Sequence, residues 1–183
     1  MDAINSMHMR RSIRKYKDQA VPRDAIEELI WAAVQAPTPP ISGDKAWAIT
    51  VIEGTARLEE YGERARQYAY DHQPTDKPWE WTTRSGFKVF WGAPVLILIC
   101  ARKANPEAPF DCCRAGQNLL LAAHSKGLGT CWVGAPIPWL LSAEARSELA
   151  IPEEFSPSAA ITIGYPDEEP IGSPRQRPFI QWC

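Results

Sequence analysis

The most apolar helical pattern of the chain covers residues 110–125. The three consecutive leucines at 119–121 cannot share one face, because successive residues of a helix are turned by about 100°. A helix that is apolar on most sides has to be covered on most sides, so this segment is predicted to be a central helix. Asp111 is suited to cap its start, and Gly127 is suited to end it.

Small residues recur along this helix at Ala115, Gly116, Ala122 and Ala123. They would allow another backbone to approach closely, and the sequence leaves two candidates open. One is a neighbouring element of the same chain, and the other is the same helix in a second subunit. Residues 130–133, which follow, are predicted to form a buried strand.

The length of 183 residues fits one domain, residues 1–183, with a core of its own. The formal net charge of −2 argues against a protein that binds nucleic acid through bulk electrostatics. Any anion that this protein binds must therefore be held locally, by a cluster of cations rather than by the overall charge.

The five cysteines contain no C-x-x-C pair, and the three histidines show no metal-ligand spacing relative to them. We therefore expect no metal site and interpret the cysteines as structural or idle thiols of a reducing compartment. No signal peptide is recognised, and the longest apolar run, residues 93–101, is too short to cross a bilayer. A cytoplasmic protein without a membrane or nucleic-acid partner is the expectation.

The strongest cation cluster is Arg10-Arg11-Ser12-Ile13-Arg14-Lys15-Tyr16. Such a run is often only a solvated turn. Guanidinium groups and a hydroxyl also match the oxygens of a phosphate, and Arg10 and Arg14 would share a face if the segment were helical. Residues 3–9 before it are predicted to form a short helix, with Ile4 and Met7 pointing inward.

The other elements follow from periodicity and turn residues. Pro22 opens an amphipathic helix that ends before Pro37, and Thr55 is placed to cap another. Ser142 is placed to cap a short helix. Strands are predicted at residues 47–53, at the continuously apolar residues 93–100, which must be buried on both faces, and at residues 159–166.

Four motifs in order along the chain carry a resemblance to a known family. They are the basic run at 10–16, the helix and strand at 115–134, Gly164-Tyr165-Pro166, and the tail Pro174-Arg175-Gln176-Arg177-Pro178. Together they resemble the FMN-dependent nitroreductase family over nearly the whole chain. The resemblance implies an α+β fold of three layers, with a mixed, mostly antiparallel sheet flanked by helices. It also implies a homodimer that binds FMN at the dimer interface.

The resemblance assigns cofactor contacts residue by residue. Arg10, Arg11, Ser12 and Arg14 match ligands of the phosphate and ribityl chain, and the tail residues Arg175 and Arg177 match a second phosphate clamp. Around the ring, the matching residues are Ser42, Gly43, Ser85, Lys88, Trp132, Val133 and Gly134. The backbone at 133–134 would lie at N5, and the Lys88 cation would favour acceptance of a hydride at the pyrimidine edge.

The loop at 36–47 departs from the family pattern. It keeps Ala36-Pro37-Thr38 and Trp47, but the Asn and Gln that the family uses there are missing. Three prolines, at 37, 39 and 40, restrict the loop before binding, and Ser42, Asp44 and backbone amides are the expected replacements. Asp44 is expected to stay away from N1 of the ring, where its charge would repel the reduced flavin.

The long connection at 71–81 contains Trp79 and Trp81 with Glu80 between them. A connection of this length in a compact domain is often a lid over a site. The alternative is that the tryptophans pack on a partner subunit. The sequence leaves both interpretations open for the segment at 79–91.

No G-x-G-x-x-G follows a strand, and no nucleophile with a base or paired carboxylates can be placed, so no catalytic side chain is expected. The resemblance implies an enzyme in which NAD(P)H reduces FMN and a flat acceptor, such as a nitroaromatic or a quinone, reoxidises it. One alternative is other flavin chemistry, such as reductive dehalogenation or flavin cleavage. Another is an FMN-binding module without turnover. The physiological acceptor and the choice between NADH and NADPH stay open.

Overall fold

The computed structural model describes residues 2–39, 46–172 and 174–183. Four strands form an antiparallel sheet in the order β1-β2-β4-β3. The strands are β1 (Trp47–Glu53), β2 (Val95–Arg102), β3 (Gly129–Trp132) and β4 (Phe155–Gly164). The helices are α1 (Ala3–Met9), α2 (Arg23–Ala33), α3 (Thr55–His72), α4 (Ala108–Ser125), α5 (Ile137–Leu140) and α6 (Ala143–Glu148), and a single 3-10 turn covers Glu80–Thr82.

The strand β2 is the centre of the sheet. Val95 pairs with Glu53 of β1 on one side and with Ile163 of β4 on the other. Every residue of β2 except Arg102 is buried, which confirms the predicted burial on both faces. An apolar strand with no polar alternation needs cover on both sides of the sheet.

That cover comes from two separate cores, because side chains alternate between the faces of a strand. Val95, Ile97 and Ile99 face a core shared with α2 and α4. Leu96 and Leu98 face a second core, shared with α3, α5 and α6. The protein therefore has helices, sheet and helices in three layers, which confirms the predicted α+β fold.

The helix α4 is central, as predicted, but it begins earlier than expected. Its first residue is Ala108 and its N-cap residue is Glu107, because Pro109 is well suited to a first turn. Asp111 is consequently not the cap: it is fully buried within the first turn and pairs with Arg114 at 2.5 Å. The predicted end is confirmed, since Gly127 follows the helix with a φ of +75°.

The small residue Gly116 has a definite role in packing α4. A Cβ atom there would lie 2.3 Å from Cζ3 of Trp132 and 3.2 Å from Cδ1 of Ile161. Gly116 thus admits the indole of the strand that follows α4. At Gly116 the neighbouring element of the same chain comes close, and it does so with a side chain rather than with its backbone.

The amino-terminal helix is present over the predicted residues, but its orientation is not the predicted one. Ile4 is 61% exposed and Met7 is 55% exposed, whereas Ser6 is the buried residue. The inward prediction was wrong because the helix is too short and too lightly packed for its apolar residues to decide its orientation. An apolar surface is left open on α1 instead.

The chain after α1 is extended rather than helical. Ser12 forms a parallel bridge with Thr130 of β3, and the amide of Ile13 donates to the Thr130 carbonyl at 2.9 Å. This segment adds a parallel neighbour to an antiparallel sheet, so the pairing is mixed, as predicted. The assumption that Arg10 and Arg14 share a helical face is replaced by the alternation of an extended chain.

Most of the remaining boundaries lie within about two residues of the predicted ones, but β4 begins at Phe155, four residues before the predicted start. Pro22 is the N-cap residue of α2, and Ser142 caps α6 by accepting from the amide of Ala145 at 3.2 Å. Thr55 is the first residue of α3 and not its cap, which is Gly54 at a φ of +106°. Among the described residues, no helix is long and apolar enough to cross a membrane.

Candidate functional site

Three polar side chains of the segment after α1 share one side of it. Arg10, Ser12 and Arg14 alternate along an extended chain, which places every second residue on the same side. Ser12 hydrogen-bonds the Cys131 thiol of β3, and Arg10 and Arg14 lie near enough for their charges to act on it. Burial raises the pKa of Cys131, while Arg14, a hydrogen bond from Ser12 and Arg10 each act to lower it. The strand pairing therefore brings two guanidinium groups and a hydroxyl together.

The carboxyl-terminal tail adds a third cation. Burial, followed by the charges of Arg175 and Arg11, lowers the pKa of Arg10. Like charges that lower each other's proton affinity are a sign of uncompensated positive charge. Among the described residues, the ion pairs include neither Arg10, Arg14 nor Arg175. Arg175 thus links the basic cluster at 175–177 to the one at 10–14. The other arginine of the second cluster, Arg177, lies exposed on the tail.

Arg11 has a different environment from its neighbours. Its Nη1 donates to the carbonyl of His8 at 2.7 Å and to that of Arg10 at 2.9 Å. A Cβ atom on Gly172 would lie 2.2 Å from its Nε atom. The guanidinium is therefore packed between the end of α1 and the chain that leads to Arg175, where it positions the tail.

Arg14 is anchored through its backbone and covered by an aromatic ring. Its amide donates to the carboxylate of Glu168, and its guanidinium lies 5.7 Å from the ring centre of Trp91. Lys15 forms an ion pair with Asp167 at 2.7 Å. These contacts fix the segment after α1 against residues 165–168. The sequence did not assign Trp91 or Glu168 to the site. The only local hint was that Trp91 is an aromatic residue directly before a glycine.

The end of β3 offers open space. The Val133 amide donates to the carbonyl of Ala160 at 2.8 Å, and the Val133 side chain is buried. The next residue, Gly134, is exposed, and a Cβ atom there would meet nothing within 4 Å. Trp132 turns its indole the other way, onto Gly116. A flat molecule can therefore approach the backbone at Gly134, while the Trp132 side chain is used in packing.

Two other predicted ring contacts, Lys88 and Ser85, have partners or surroundings outside the arginine cluster. Lys88 forms an ion pair with Glu59 of α3, and Ser85 is exposed in a turn that the Phe87 amide closes by donating to the Arg84 carbonyl at 3.3 Å. The predicted residues Ser42, Gly43 and Asp44 lie outside the described residues. The groups expected to replace the Asn and Gln of the family pattern belong to the same loop.

The tryptophan-rich segment packs on its own chain. Trp79 and Trp81 are stacked, with ring centres 6.2 Å apart, and a series of ring contacts continues from Trp81 to Phe87 at 5.6 Å and on to Trp91 at 5.1 Å. The Gln73 side chain accepts from the amide of Trp79 at 2.8 Å. An ordered aromatic series therefore runs from the surface to the ring that covers Arg14.

A cavity of about 580 Å³ opens beside Arg10, between the end of α4 and residues 166–170. Arg11, Glu168 and Glu169 also line it. His124 lies at its edge, and its buried Nε2 atom has no hydrogen-bond partner among the described residues. The two carboxylates make this cavity less suitable for an anion than the Ser12 side of the segment.

The described residues of the site offer hydrogen-bond donors that suit an anion. Two converging guanidinium groups and a hydroxyl are a donor set for a phosphate monoester. In the part of the chain that the structure describes, no cluster of His, Cys, Asp and Glu is arranged to hold a metal ion. The chemistry of this donor set fits a phosphorylated cofactor next to an open glycine.

Comparison with known proteins gives a consistent picture. Residues 7–165 match the family described as the nitroreductase family. A protein of Methanothermobacter thermautotrophicus, provisionally named an NADH dehydrogenase/NAD(P)H nitroreductase, is 33% identical over 93% of this chain and 80% of its own length. A 4-nitrobenzoate reductase of a Nocardioides species is 27% identical over 90% of this chain and 81% of its own length.

Solved structures match over nearly the whole chain. A nitroreductase of Bacteroides fragilis with bound FMN has a TM-score of 0.84, with 23% identity, and the match covers 97% of this chain and 95% of that one. An FMN-dependent nitroreductase of Clostridium difficile has a TM-score of 0.70 at 28% identity, covering 93% and 91%. The fold of this chain is therefore theirs.

Proposed function

The chain belongs to the nitroreductase family, and from that premise we propose that it is an FMN-dependent oxidoreductase that takes hydride from NAD(P)H and passes it to a flat acceptor. The observation that carries the proposal is the extended segment paired with Thr130, which places Arg10, Ser12 and Arg14 on one side, with the charge of Arg175 acting on Arg10. A cluster of cations without carboxylate partners among the described residues is unfavourable unless an anion joins it.

The terminal phosphate of FMN suits this cluster. Guanidinium groups bind phosphate oxygens through paired hydrogen bonds, and the Ser12 hydroxyl supplies a further donor. The phosphate charge would also offset the burial and the repulsion by Arg175 and Arg11 that lower the pKa of Arg10. Arg11 would contribute indirectly, by positioning the tail that carries Arg175.

The ring would lie against the end of β3. Gly134 leaves room for close approach of a flat group to the backbone. When bound, the flavin supplies the hydride chemistry, so the protein needs to bind, orient and shield rather than to provide an acid and a base. The absence of a recognisable catalytic pair in the sequence agrees with that division of labour.

The acceptor belongs to the finer part of the proposal. The name of one relative, a 4-nitrobenzoate reductase, favours a nitro compound as the acceptor. The name of another, an NADH dehydrogenase/NAD(P)H nitroreductase, supports NAD(P)H as the donor. Quinones have the same flat shape and accept two electrons, so they remain in the proposed acceptor class. The described residues show no feature that favours dehalogenation or flavin cleavage over simple hydride transfer.

A second copy of the chain would complete the site. The tail carries exposed apolar side chains, with Phe179 91% and Trp182 90% exposed, and Ile4 and Met7 are exposed on α1. Large apolar groups in such numbers on one polypeptide mark an interaction surface. We propose a homodimer in which these segments cover the partner and the flavin lies at the interface; the mass in solution tests it.

One experiment tests the enzymatic proposal. The purified protein should be yellow, with about one FMN per chain, and NADH or NADPH should bleach it under anaerobic conditions. Adding a nitroaromatic compound or a quinone should restore the colour. A colourless protein that does not take up FMN would overturn the proposal. A yellow protein that neither donor bleaches would show a flavin-binding module without turnover.

A further inference from the structure

Trp91 adopts a backbone conformation that tryptophan rarely adopts. Its φ is +59°, and the next residue, Gly92, has a φ of +72°. Glycine tolerates this left-handed region, whereas a bulky side chain is strained there. Strain of this kind persists only where the surrounding structure enforces it, and such positions are frequent at functional sites.

The indole at this position also lacks an internal hydrogen bond. Its Nε1 atom is buried and has no partner among the described residues. The ring is held instead by Phe87, which packs edge-on at 5.1 Å, while the Trp91 amide donates to the carbonyl of Lys88 at 3.2 Å. Strain and an unsatisfied donor both disfavour tryptophan here, so a packing role alone does not explain the residue.

The ring face has one notable contact, the guanidinium of Arg14 at 5.7 Å from its centre. No carboxylate pairs with that guanidinium among the described ion pairs, and Glu168 accepts from the Arg14 backbone instead. A carboxylate would hold the guanidinium but also neutralise it and compete with a phosphate. An aromatic face attracts a cation without supplying a countercharge.

We propose that Trp91 is a positioning residue that holds the guanidinium of Arg14 ready for the cofactor phosphate while leaving its charge uncompensated. This inference rests on the proposed function of the site. It assigns a role to the inner end of the aromatic series that begins at Trp79. It also gives a reason for the strain at residue 91, since the left-handed turn directs the ring to Arg14.

A set of matched variants separates the ring from its volume. Trp91→Leu keeps an apolar side chain and removes the aromatic face, whereas Trp91→Phe keeps an aromatic face. We expect W91L to weaken FMN binding about two- to fivefold, W91F less than about twofold, and neither to alter riboflavin binding. Trp31→Leu, at an exposed position of α2, is the control and should change nothing.

A double-mutant cycle tests whether Trp91 acts through Arg14. In an Arg14→Ala background, W91L should have almost no further effect on FMN affinity, because the group that it holds is gone. Equal losses with and without Arg14, or equal losses for FMN and riboflavin, would overturn the inference while the proposed function stands. A parent protein that binds no FMN would overturn both.

Trp91→Glu gives a further readout that a merely structural role would not produce. The carboxylate would hold Arg14 and neutralise it, so W91E should bind FMN more weakly than W91L, and the difference should shrink as salt is added. W91E binding FMN better than W91L would show that holding Arg14 matters and that its free charge does not, and would overturn the proposal. Thermal unfolding of each variant without FMN checks that all are folded.

Discussion

Arg64 and Arg10 show how differently one chain can treat the same side chain. Arg64 of α3 pairs with Glu144 at 2.5 Å and with Glu148 at 2.7 Å, and its guanidinium lies over the rings of Tyr61 and Trp139. The hydrogen bonds to Glu148 and Glu144 raise the pKa of Arg64. Burial and the neighbouring charge of Arg175 lower the pKa of Arg10.

The difference separates cations that serve the fold from cations that await a ligand. Glu144, Glu148 and Trp139 lie on other helices, so their contacts with Arg64 join α3 to α5 and α6. The neighbours of Arg10 are further cations, Arg175 and Arg11, which repel it. Other interactions of the fold therefore hold these cations together. An internally satisfied arginine stabilises the protein, and an unsatisfied one can stabilise a complex.

The largest expected effect comes from removing the unsatisfied cation. Arg10→Met keeps the apolar stem and removes the guanidinium. Charge-assisted hydrogen bonds are worth about 1.5–3 kcal/mol, so FMN affinity should fall on the order of tenfold to a hundredfold. Fluorescence titration with FMN and with riboflavin measures this, and riboflavin binding should hardly change.

The same variant without FMN tests the other half of the comparison. Because the neighbouring cations repel Arg10, its removal should leave the free energy of unfolding unchanged or slightly higher. A clear loss of stability in R10M would mean that Arg10 serves the fold, as Arg64 does. Arg14→Ala should behave like R10M toward FMN, since both guanidinium groups lie on the Ser12 side.

Arg64→Met is the matched change in the satisfied region. It removes two short ion pairs and the cation over two rings, so the free energy of unfolding should fall by about 1–2 kcal/mol. FMN affinity should stay within about twofold of the parent, because the site is on another part of the chain. Urea unfolding measures the free energy of unfolding, and titration of the same sample measures the FMN affinity. A larger change in FMN affinity than in stability would reverse the assignment.

The pH dependence of stability sharpens this test. The hydrogen bond from Arg64 lowers the pKa of Glu148. A depressed carboxyl pKa contributes stability above the pKa of the unfolded chain, about 4.3, and the contribution is lost as the pH falls through the folded value. The stability difference between the parent and R64M should therefore be full at neutral pH and should narrow in acid below about pH 4.

The architecture was predictable because it depends on local patterns. The burial of β2 follows from its unbroken apolar run, and the central position of α4 follows from apolar residues on most of its sides. Gly127 was predictable as a stop because few other residues accept its φ of +75°. The start of α4 was predicted too late, since Asp111 is a preferred N-cap residue but Pro109, which suits a first turn, lies before it.

The site residues were identified as types but not by role. Arg10, Arg11 and Arg14 look alike in the sequence, and their roles depend on whether the segment pairs with Thr130, which lies far along the chain. The Arg11 guanidinium packs against Gly172, whereas Arg10 and Arg14 act with Ser12 on the Cys131 thiol. Likewise, the packing of Trp132 onto Gly116 and of Trp91 onto Arg14 depends on tertiary contacts that no local pattern encodes.

A smaller effect is expected at Gly172, which lets the tail cross Arg11. Gly172→Ala would place a methyl group 2.2 Å from the Arg11 Nε atom, so Arg11 or the tail must move. Arg175 would shift with the tail, and FMN affinity should fall about two- to fivefold, equivalent to about 0.4–1 kcal/mol. Arg11→Met relieves the clash, and the double variant should bind no more weakly than R11M alone. Independent losses that add would show that Gly172 and Arg11 act separately.

The smallest effect is expected at Lys88, where the resemblance and the geometry lead to different expectations. The resemblance places its cation beside the flavin, so that Lys88→Ala would lower the reduction potential and slow reduction by NAD(P)H. In the structure the Lys88 ammonium forms an ion pair with Glu59, and both side chains are about half exposed. Such a pair contributes about 0–1 kcal/mol to stability and leaves little charge for the flavin.

We expect Lys88 to stay paired with Glu59 when FMN is bound. Lys88→Ala should then shift the potential by less than about 10 mV, which corresponds to under about 0.5 kcal/mol for a two-electron couple. Glu59→Gln releases the ammonium and provides the sharper comparison. If Lys88 can reach the ring once released, E59Q should raise the potential and K88A in that background should abolish the rise. If Lys88 already acts on the flavin in the parent, K88A alone should lower the potential by tens of millivolts. Lys88 would then belong with Arg10 as a cation directed to the ligand, and its pairing with Glu59 would be incidental.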